Sequence, residues 1–560
     1  MTDKRIPAWT AAALSACLLL GGCASAAPKQ GGTQKAALAT ENTEPKETAA
    51  SAYEQMEAVN VHESQAANDN YRNYYEIFPY SYADGDGDGI GDLQGIIDRL
   101  DYIEELGING IWLTPICPST TYHKYDVINY CEIDSQFGTM EDFDRLMEEC
   151  NARGIDVILD LVVNHSSSQH EWFREAAEYI GTLGADETPD PAVCPYVDYY
   201  NFTREYAGGF TQLEGTDWYY ESRFWSGMPD LNLDSEAVRQ EIDGIVRFWL
   251  DKGVAGFRLD ATTSYYTGDD AKNIAFMEWL TGCVKEKKPD AYLVGECWAN
   301  NQTYTAYYAS GMDSFFNFDF ADQGGNINKV LTGGSARAFG ENIVAVDSAI
   351  AAKNPAYINA AFTSNHDTGR SAGFYAGDNA AAQIKMAQAL AMMMGGNYFL
   401  YYGDEIGMKG SGDDENKRCP MQWGGADTGM CDSLATKEID MIYGSVEEQQ
   451  ADGNSILRFV QEGLALRSAF PEIARGENSV VEALSDEDVL VLQKEYEGSQ
   501  LLIVMNLSES GRTVDLSQVL LNGKNAGEAE AVGMLITGEN AVSYDGGSVT
   551  MPAFSIELFQ

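Results

Sequence analysis

Val254-Ala255-Gly256-Phe257-Arg258-Leu259-Asp260 is a short apolar, β-prone run that ends on a carboxylate. The same design recurs twice downstream. Tyr292–Val294 leads into Glu296, and Ile358–Thr363 leads through Ser364-Asn365-His366 into Asp367. In a parallel β/α barrel, side chains at the C-terminal ends of the strands converge on one mouth. Three acids gathered there, with Arg258 and His366 beside them, suit acid/base and nucleophilic work on a neutral, polar substrate. Cleavage of a glycosidic bond asks for that set. One carboxylate attacks, one carboxylic acid protonates the leaving oxygen, and negative charge faces an oxocarbenium-like centre.

Strand-like and helix-like stretches alternate from Tyr74 onward. Gln94–Leu106 carries Ile96, Ile97, Leu100, Ile103 and Leu106 at helical spacing, and Gly107 can cap it. IWLTPI (111–116) follows as a buried strand. Thr139 can cap a helix with Phe143, Leu146 and Met147 inward, closing at Gly154 before the run Val157–Val163. Ser235 opens another helix, with Val238, Ile242, Ile245 and Trp249 on one face, which ends at Gly253. With YYEIFPY (74–80), SFFNFDF (314–320), INAAFTS (358–364) and NYFLYY (397–402), eight β/α units fit between Tyr74 and Phe470. Runs buried on both sides and joined by helices predict an α/β architecture with a parallel sheet, closed as a (β/α)8 TIM barrel over 71–165 and 236–472. Between Asn164 and Ser235 lie about seventy residues without a strong helical period, so 166–235 reads as an inserted domain after the third strand. The stretches VLVLQKEY, LLIVMNL and FSIELF alternate with Gly/Asn/Ser turns and predict a C-terminal antiparallel β-sandwich over 473–560.

The N-terminus reads as an export signal. Lys4 and Arg5 precede an apolar core from Ala8 to Leu20, and Leu20-Gly21-Gly22-Cys23 resembles a bacterial lipobox. That resemblance implies a lipoprotein signal peptide over 1–22, cleavage before Cys23 and lipidation of that residue. Residues 23–70 are rich in Ala, Thr, Glu, Gln, Lys and Ser and predict a disordered tether, in which His62 has no role. No later stretch reaches the roughly 20 apolar residues of a membrane span. The expected location is therefore the extracellular face of a bacterial membrane, held by the lipid alone. Acidic residues number 86 against 36 basic ones, a formal net charge of −50. Such a balance argues against nucleic acid and anionic headgroups as partners. It suits an uncharged substrate. Monomer is the default state. Of the ten cysteines, Cys419 and Cys431 form the most plausible local disulfide, with free thiols as the alternative. None has zinc-site spacing.

Four motifs in order, Asp160-Leu161-Val162-Val163-Asn164-His165, Gly256–Asp260, the stretch around Glu296 and Asn365-His366-Asp367, resemble the α-amylase family of glycoside hydrolases, family thirteen. The resemblance runs from about Tyr74 to the end of the chain, insert and C-terminal domain included. It implies that Asp260 is the nucleophile, Glu296 the general acid/base and Asp367 the acid that holds sugar hydroxyls. Arg258 would keep Asp260 ionised, and Glu296 would hold a proton near neutral pH. His165 and His366 would donate hydrogen bonds to the sugar in the cleaving subsite. Tyr125 would be the platform beneath it, and His123 would bond its hydroxyl.

Asp84-Gly-Asp86-Gly-Asp88-Gly-Ile90-Gly-Asp92 spaces acids at positions 1, 3, 5 and 9 of a loop, with the Ile90 carbonyl at position 7, as in Ca²⁺ loops. Position 12 is Gly95, which excludes an EF-hand. The loop resembles the calcium loop of the oligo-1,6-glucosidase-like branch and implies a structural Ca²⁺. Ala-Thr-Thr-Ser-Tyr-Tyr after Asp260 lacks the Lys-His of many α-amylases and so departs from the family's other calcium site. Ala261 stands where α-1,6-specific relatives tend to have Val, Tyr122 where exo-acting ones tend to have Asp, and Trp298 resembles amylases, so the resemblance implies internal cleavage of α-1,4-glucans in starch or maltodextrins. The rival readings are an α-glucosidase, neopullulanase-like or transglycosylating enzyme of the same family, and a non-catalytic starch-binding lipoprotein.

Overall fold

The computed structural model describes residues 69–560 apart from 426, 427 and 539. The expected signal peptide, Cys23 and all but the last two residues of the tether lie outside the described residues. Eight strands form one sheet: β1 (Asn73–Ile77), β2 (Gly110–Leu113), β3 (Asp156–Leu161), β4 (Gly256–Leu259), β5 (Tyr292–Gly295), β6 (Ser314–Phe315), β7 (Ala360–Phe362) and β8 (Asn397–Tyr401). Neighbours pair in parallel in the order β7-β8-β1-β2-β3-β4-β5-β6. A parallel bridge from Phe316 to Ala360 joins the last strand to the first. The sheet is thus a closed (β/α)8 barrel.

Period two puts alternate side chains inside. The interior is filled by Tyr74, Trp112, Ile158, Tyr292, Val294, Phe316 and Phe399 among others. Tyr74 stacks between Tyr292 and Phe399, with centroids 5.4 and 4.7 Å away. One step further along the same inward rows the composition changes to Glu76 and Arg258, both buried, and Asp160, whose side chain is fully covered. An apolar plug therefore carries a charged layer at the C-terminal ends of the strands, and this is what positions the site.

Helices cover the barrel as their patterns predict, with local differences. Thr139 forms a capping box with Asp142 at the start of helix Met140–Ala152. Ser235 precedes helix Glu236–Asp251, but its hydroxyl donates to Asp198 instead of capping. The helix expected over Gln94–Leu106 is two, Leu93–Asp98 and Leu100–Leu106, broken at Arg99 and closed by Gly107 at φ 92°. SFFNFDF supplies only the two-residue strand β6, because the chain turns at residues 318–320.

The stretch after β3 holds a small antiparallel sheet of Phe202–Thr203, Tyr219–Glu221 and Phe210–Gln212. It also holds a helix, Glu171–Thr182, that the periodicity missed. Its buried face is Phe173, Ala176 and Ile180, a stripe too thin to stand out in a polar segment. At the C-terminus a five-stranded antiparallel sheet faces a three-stranded one. Val489, Val491, Leu502, Val504, Val514, Val549 and Met551 fill the space between, which makes a β-sandwich. The expected Cys419–Cys431 bond is absent, and all eight described cysteines are free thiols. The Cys419 thiol instead lies 3.7 Å from the Lys409 carbonyl oxygen. Cys431 is buried beside Asp84, Asp92 and Asp432, which together with burial disfavours its thiolate.

Candidate active site

Register brings the charges together. Asp160 of β3 stands opposite Arg258 of β4, and Leu259 stands opposite Gly295 of β5. Asp260 and Glu296 each follow one residue later, so they leave the barrel side by side. Arg258 is fully buried and binds three acids at once. Its Nη1 donates to Asp160 Oδ1 and to Asp260 Oδ1, both at 2.7 Å. Its Nη2 lies 3.1 Å from Glu296 Oε2, an ion-pair distance without hydrogen-bond alignment. The Trp112 ring sits beneath the guanidinium at 5.2 Å. Ala261 adopts φ 49°, a left-handed conformation uncommon for a residue with a Cβ. That turn points its N–H at Glu296 Oε2, 2.8 Å away.

Asp367 is held differently. His366 Nε2 lies 3.0 Å from Asp367 Oδ2, and Arg418 Nη2 donates to Asp367 Oδ1 at 2.7 Å. His366 Nδ1 meets Glu76 Oε1 at 2.6 Å, so the imidazole is bracketed by two carboxylates. Tyr125 lies flat against His366, with ring centroids 5.5 Å apart and planes at 13°. Its hydroxyl donates to Asp160 Oδ2 at 3.1 Å and meets His366 Nε2 at 2.7 Å.

Protonation follows from these partners. Burial raises the Asp260 carboxyl, Arg258 opposes it, and Asp160 and Asp367 add to the rise, leaving it pushed up to about 6. Arg258 alone therefore does not hold Asp260 at an ordinary value, although the group is still ionised at neutral pH. Burial raises Glu296 as well, against Arg258 and with Asp260 and Asp367. Burial would also raise Asp367, but His366, Arg418 and Arg258 outweigh it and hold that carboxyl well below the usual range. Burial would depress the His366 imidazolium, yet Asp367 and Glu76 carry it up to about 10.

Of the other expected residues, His123 lies against Tyr125 and accepts the Tyr125 N–H on Nδ1 at 3.2 Å. His165 is buried beside Phe224, with Nε2 lacking a protein partner. Burial lowers both imidazoles to about 4, so both are neutral donors or acceptors. The structure thus brings Asp260, Glu296, Asp367, Arg258, His366 and Tyr125 into one network, with His123 at its edge. His165 touches none of the three acids.

Residues 76–476 match the family model described as alpha amylase, catalytic domain. The chain belongs to the α-amylase family of glycoside hydrolases. Alpha-amylase 3 of Dictyoglomus thermophilum is 36% identical over 467 residues, covering 80% of this chain and 87% of the relative. Oligo-1,6-glucosidase of Heyndrickxia coagulans is 29% identical over 520 residues, covering 79% and 92%. Among solved structures, Eubacterium rectale Amy13B superposes with a TM-score of 0.87 at 48% identity, covering 91% of this chain and 98% of that one. An α-amylase from H. orenii superposes at 0.75 and 30% identity, covering 87% and 99%.

Within this α-amylase-family site, the sequence analysis leaves out three members of the network: Glu76, Asp160 as a partner of Arg258, and Arg418. Glu76 and Asp160 carry a usable signal, a charge on the inward row of a buried strand. Arg418 has none, because it lies in irregular chain between short helical turns.

The acidic loop after β1 is also divided. Ligand oxygens of Asp84, Asp86 and Asp88 lie within 4.8 Å of one another. Asp92 stands apart and points inward, accepting the N–H groups of Gly85, Asp86 and Gly95 and capping helix Leu93–Asp98. Ile90 donates its N–H to Asp88 Oδ1 at 2.8 Å. Three close carboxylates on a glycine-rich turn are a hard-oxygen donor set, which fits a calcium ion.

Proposed function

We propose that this α-amylase-family enzyme is an extracellular, lipid-anchored, retaining α-glucan hydrolase that cuts α-1,4 bonds inside starch or maltodextrin chains. The observation that carries the reading is the single guanidinium of Arg258 in contact with both Asp260 and Glu296 on adjacent strand ends. An Asp260 oxygen attacks the anomeric carbon while Glu296 gives its proton to the departing glycosidic oxygen. The bond to that oxygen breaks and an ester to Asp260 forms. Glu296, now a carboxylate that accepts the Ala261 N–H, takes a proton from water. The water oxygen attacks the same carbon, Asp260 leaves, and the configuration is retained. The mechanism requires the two carboxyl groups roughly 5–5.5 Å apart with substrate bound, and a separation near 9 Å would overturn it.

Asp367 stays ionised and binds sugar hydroxyls, with His366, His165 and His123 as further partners and Tyr125 as the platform. Internal cleavage is supported by Trp298, half exposed and stacked on Phe318 at 4.6 Å, a flat apolar surface close to Glu296 in sequence. Asp84, Asp86 and Asp88, with Ile90 and Asp92 completing the loop, hold a structural Ca²⁺. The same reading assigns 1–22 to the signal peptide, Cys23 to the lipid and 23–70 to the tether.

The test is a time course on starch, pullulan and maltoheptaose beside an Asp260→Asn variant, with membrane partition followed for the chain and for Cys23→Ala. Early mid-sized maltooligosaccharides that vanish in Asp260→Asn support the reading. Glucose from chain ends, or lengthened products, replaces it with an exo-acting or transferring enzyme. Glucan binding without turnover replaces it with a binding protein. Membrane association that survives Cys23→Ala removes the anchor.

A further inference from the structure

Between His123 and Tyr125 stands a residue that neither the motif nor the chemistry requires. Lys124 adopts φ 64°, in the left-handed region that favours glycine. Its side chain is nearly fully buried and runs beneath the loop. The ammonium lies 2.8 Å from Asp134 Oδ2, donates to Gln136 Oε1 at 2.6 Å, and sits 5.3 Å over the Phe137 ring. Asp134 is itself fixed. Its N–H donates to the Ile116 carbonyl at 2.8 Å, and its carboxylate accepts the N–H groups of Ser119 and Gln136. The anchor therefore ties the tip of the loop to its own base, where the chain leaves β2.

Glycine would take this backbone conformation without steric cost. A lysine whose charge must be desolvated and paired is costly unless the pairing fixes something. What it fixes is the direction of both neighbours. The left-handed turn lets the Tyr125 N–H reach back to His123 Nδ1 at 3.2 Å. This leaves the other nitrogen of the neutral ring as the proton carrier. The same turn lays Tyr125 flat on His366 and brings its hydroxyl to Asp160 and His366. Strain of this kind persists where the surrounding structure over-determines it, and it clusters at functional sites.

We propose that Lys124 is a positioning residue, whose buried ion pair with Asp134 holds the left-handed turn that aims Tyr125 and His123 at the reacting sugar. The role rests on Asp260 and Glu296 being the reacting pair. Displacement of a group by about 1 Å at such a site is worth on the order of a hundredfold in rate.

The experiment is a double-mutant cycle on maltoheptaose with Lys124→Gly, Tyr125→Phe and the pair, each read as kcat and KM. Lys124→Gly is chosen because its backbone tolerates the turn without the tether. The expected result is a kcat at least about tenfold lower at a KM within about threefold. The loss should shrink when Tyr125→Phe is already present, since the part that acts through the hydroxyl is then gone and groups that act through one another are not additive. Lys124→Arg, which keeps a cation for Asp134, should recover most of the rate. An unchanged kcat in Lys124→Gly overturns the proposal, as do losses that multiply in the double variant. Should Lys124→Gly fail to fold, Lys124→Gln takes its place in the cycle, where an unchanged kcat or multiplying losses again overturn the proposal. Absence of turnover by the unmodified chain overturns both the functional reading and this role, whereas normal turnover with an indifferent Lys124→Gly overturns this role alone.

Discussion

Acids crowd two regions of this chain, and their surroundings are opposite. At the barrel mouth Glu76, Asp160, Asp260, Glu296 and Asp367 all meet a cation of the chain itself. Arg258 serves Asp160, Asp260 and Glu296, while His366 serves Glu76 and Asp367, and Arg418 adds to Asp367. In the loop after β1, Asp86 and Asp88 are exposed and Asp84 is half-buried. Among the described residues no cation pairs with any of the three, which instead accept N–H groups of their own loop. Burial explains the difference for all of these acids but Asp367, whose side chain keeps 31% of its surface exposed. A carboxylate away from water needs a counter-charge within the protein, whereas an exposed one can rely on water or on an ion from solution. The mouth therefore fixes its own charge balance. Three acids sharing one guanidinium are pushed up, and one acid between two cations is held down.

The largest effect expected from breaking this balance is at Glu296. Glu296→Gln should lower kcat/KM on starch by roughly 10²–10⁴, the usual worth of a positioned general acid. The pH profile sharpens the point. Asp260 attacks only when ionised, so activity rises as pH climbs through about 6 and is lost as pH falls through it. Glu296 must carry a proton and is raised, so activity is lost as pH rises through its elevated value. The pair is coupled, and the two limbs belong to it jointly. Glu296→Gln should erase the alkaline limb and keep the acid one. An alkaline limb that survives in the variant assigns the general acid to another group.

A smaller loss is expected at Arg418. Arg418→Met leaves Asp367 with His366 as its one close cation, so its carboxyl should rise and its aim should loosen. A fall of about ten- to a hundredfold in kcat/KM, with the Glu296 limb unmoved, is the expected outcome in steady-state assays across pH. A loss confined to thermal stability would show that Arg418 only packs the segment it lies in.

The sequence displays this site unevenly, for a physical reason. Asp260, Glu296 and Asp367 end apolar runs, and a charge at such a boundary is visible by contrast. Barrel and helices are legible because their periods of two and 3.6 survive without tertiary context. Glu76 sits inside YYEIFPY, where one acid among aromatics passes as composition until period two is applied. Arg418 and the Lys124–Asp134 pair depend on segments meeting in space, which local pattern does not encode. The helix Glu171–Thr182 is hidden by an alanine in its buried stripe. The Cys419–Cys431 pairing is suggested by proximity along a glycine-rich loop, yet the two thiols take up different surroundings.

The smallest effect belongs to the other side of the comparison. If the loop after β1 relies on an outside ion, Ca²⁺ should raise the melting temperature of the full chain. At a hundredfold excess over its dissociation constant, a native-state ligand contributes about 2.7 kcal/mol, enough for a shift of a few degrees in a chain of this size. Asp86→Ala removes one of the three clustered carboxylates without touching the barrel mouth, and should abolish that shift while leaving kcat on maltoheptaose unchanged. Asp92→Asn should act differently, because Asp92 already serves backbone N–H groups and a helix cap. Its loss should lower the melting temperature with or without calcium. An equal response of both variants to added Ca²⁺ would erase the division between clustered and inward-turned acids. An undiminished calcium shift in Asp86→Ala would move the ion away from this loop altogether.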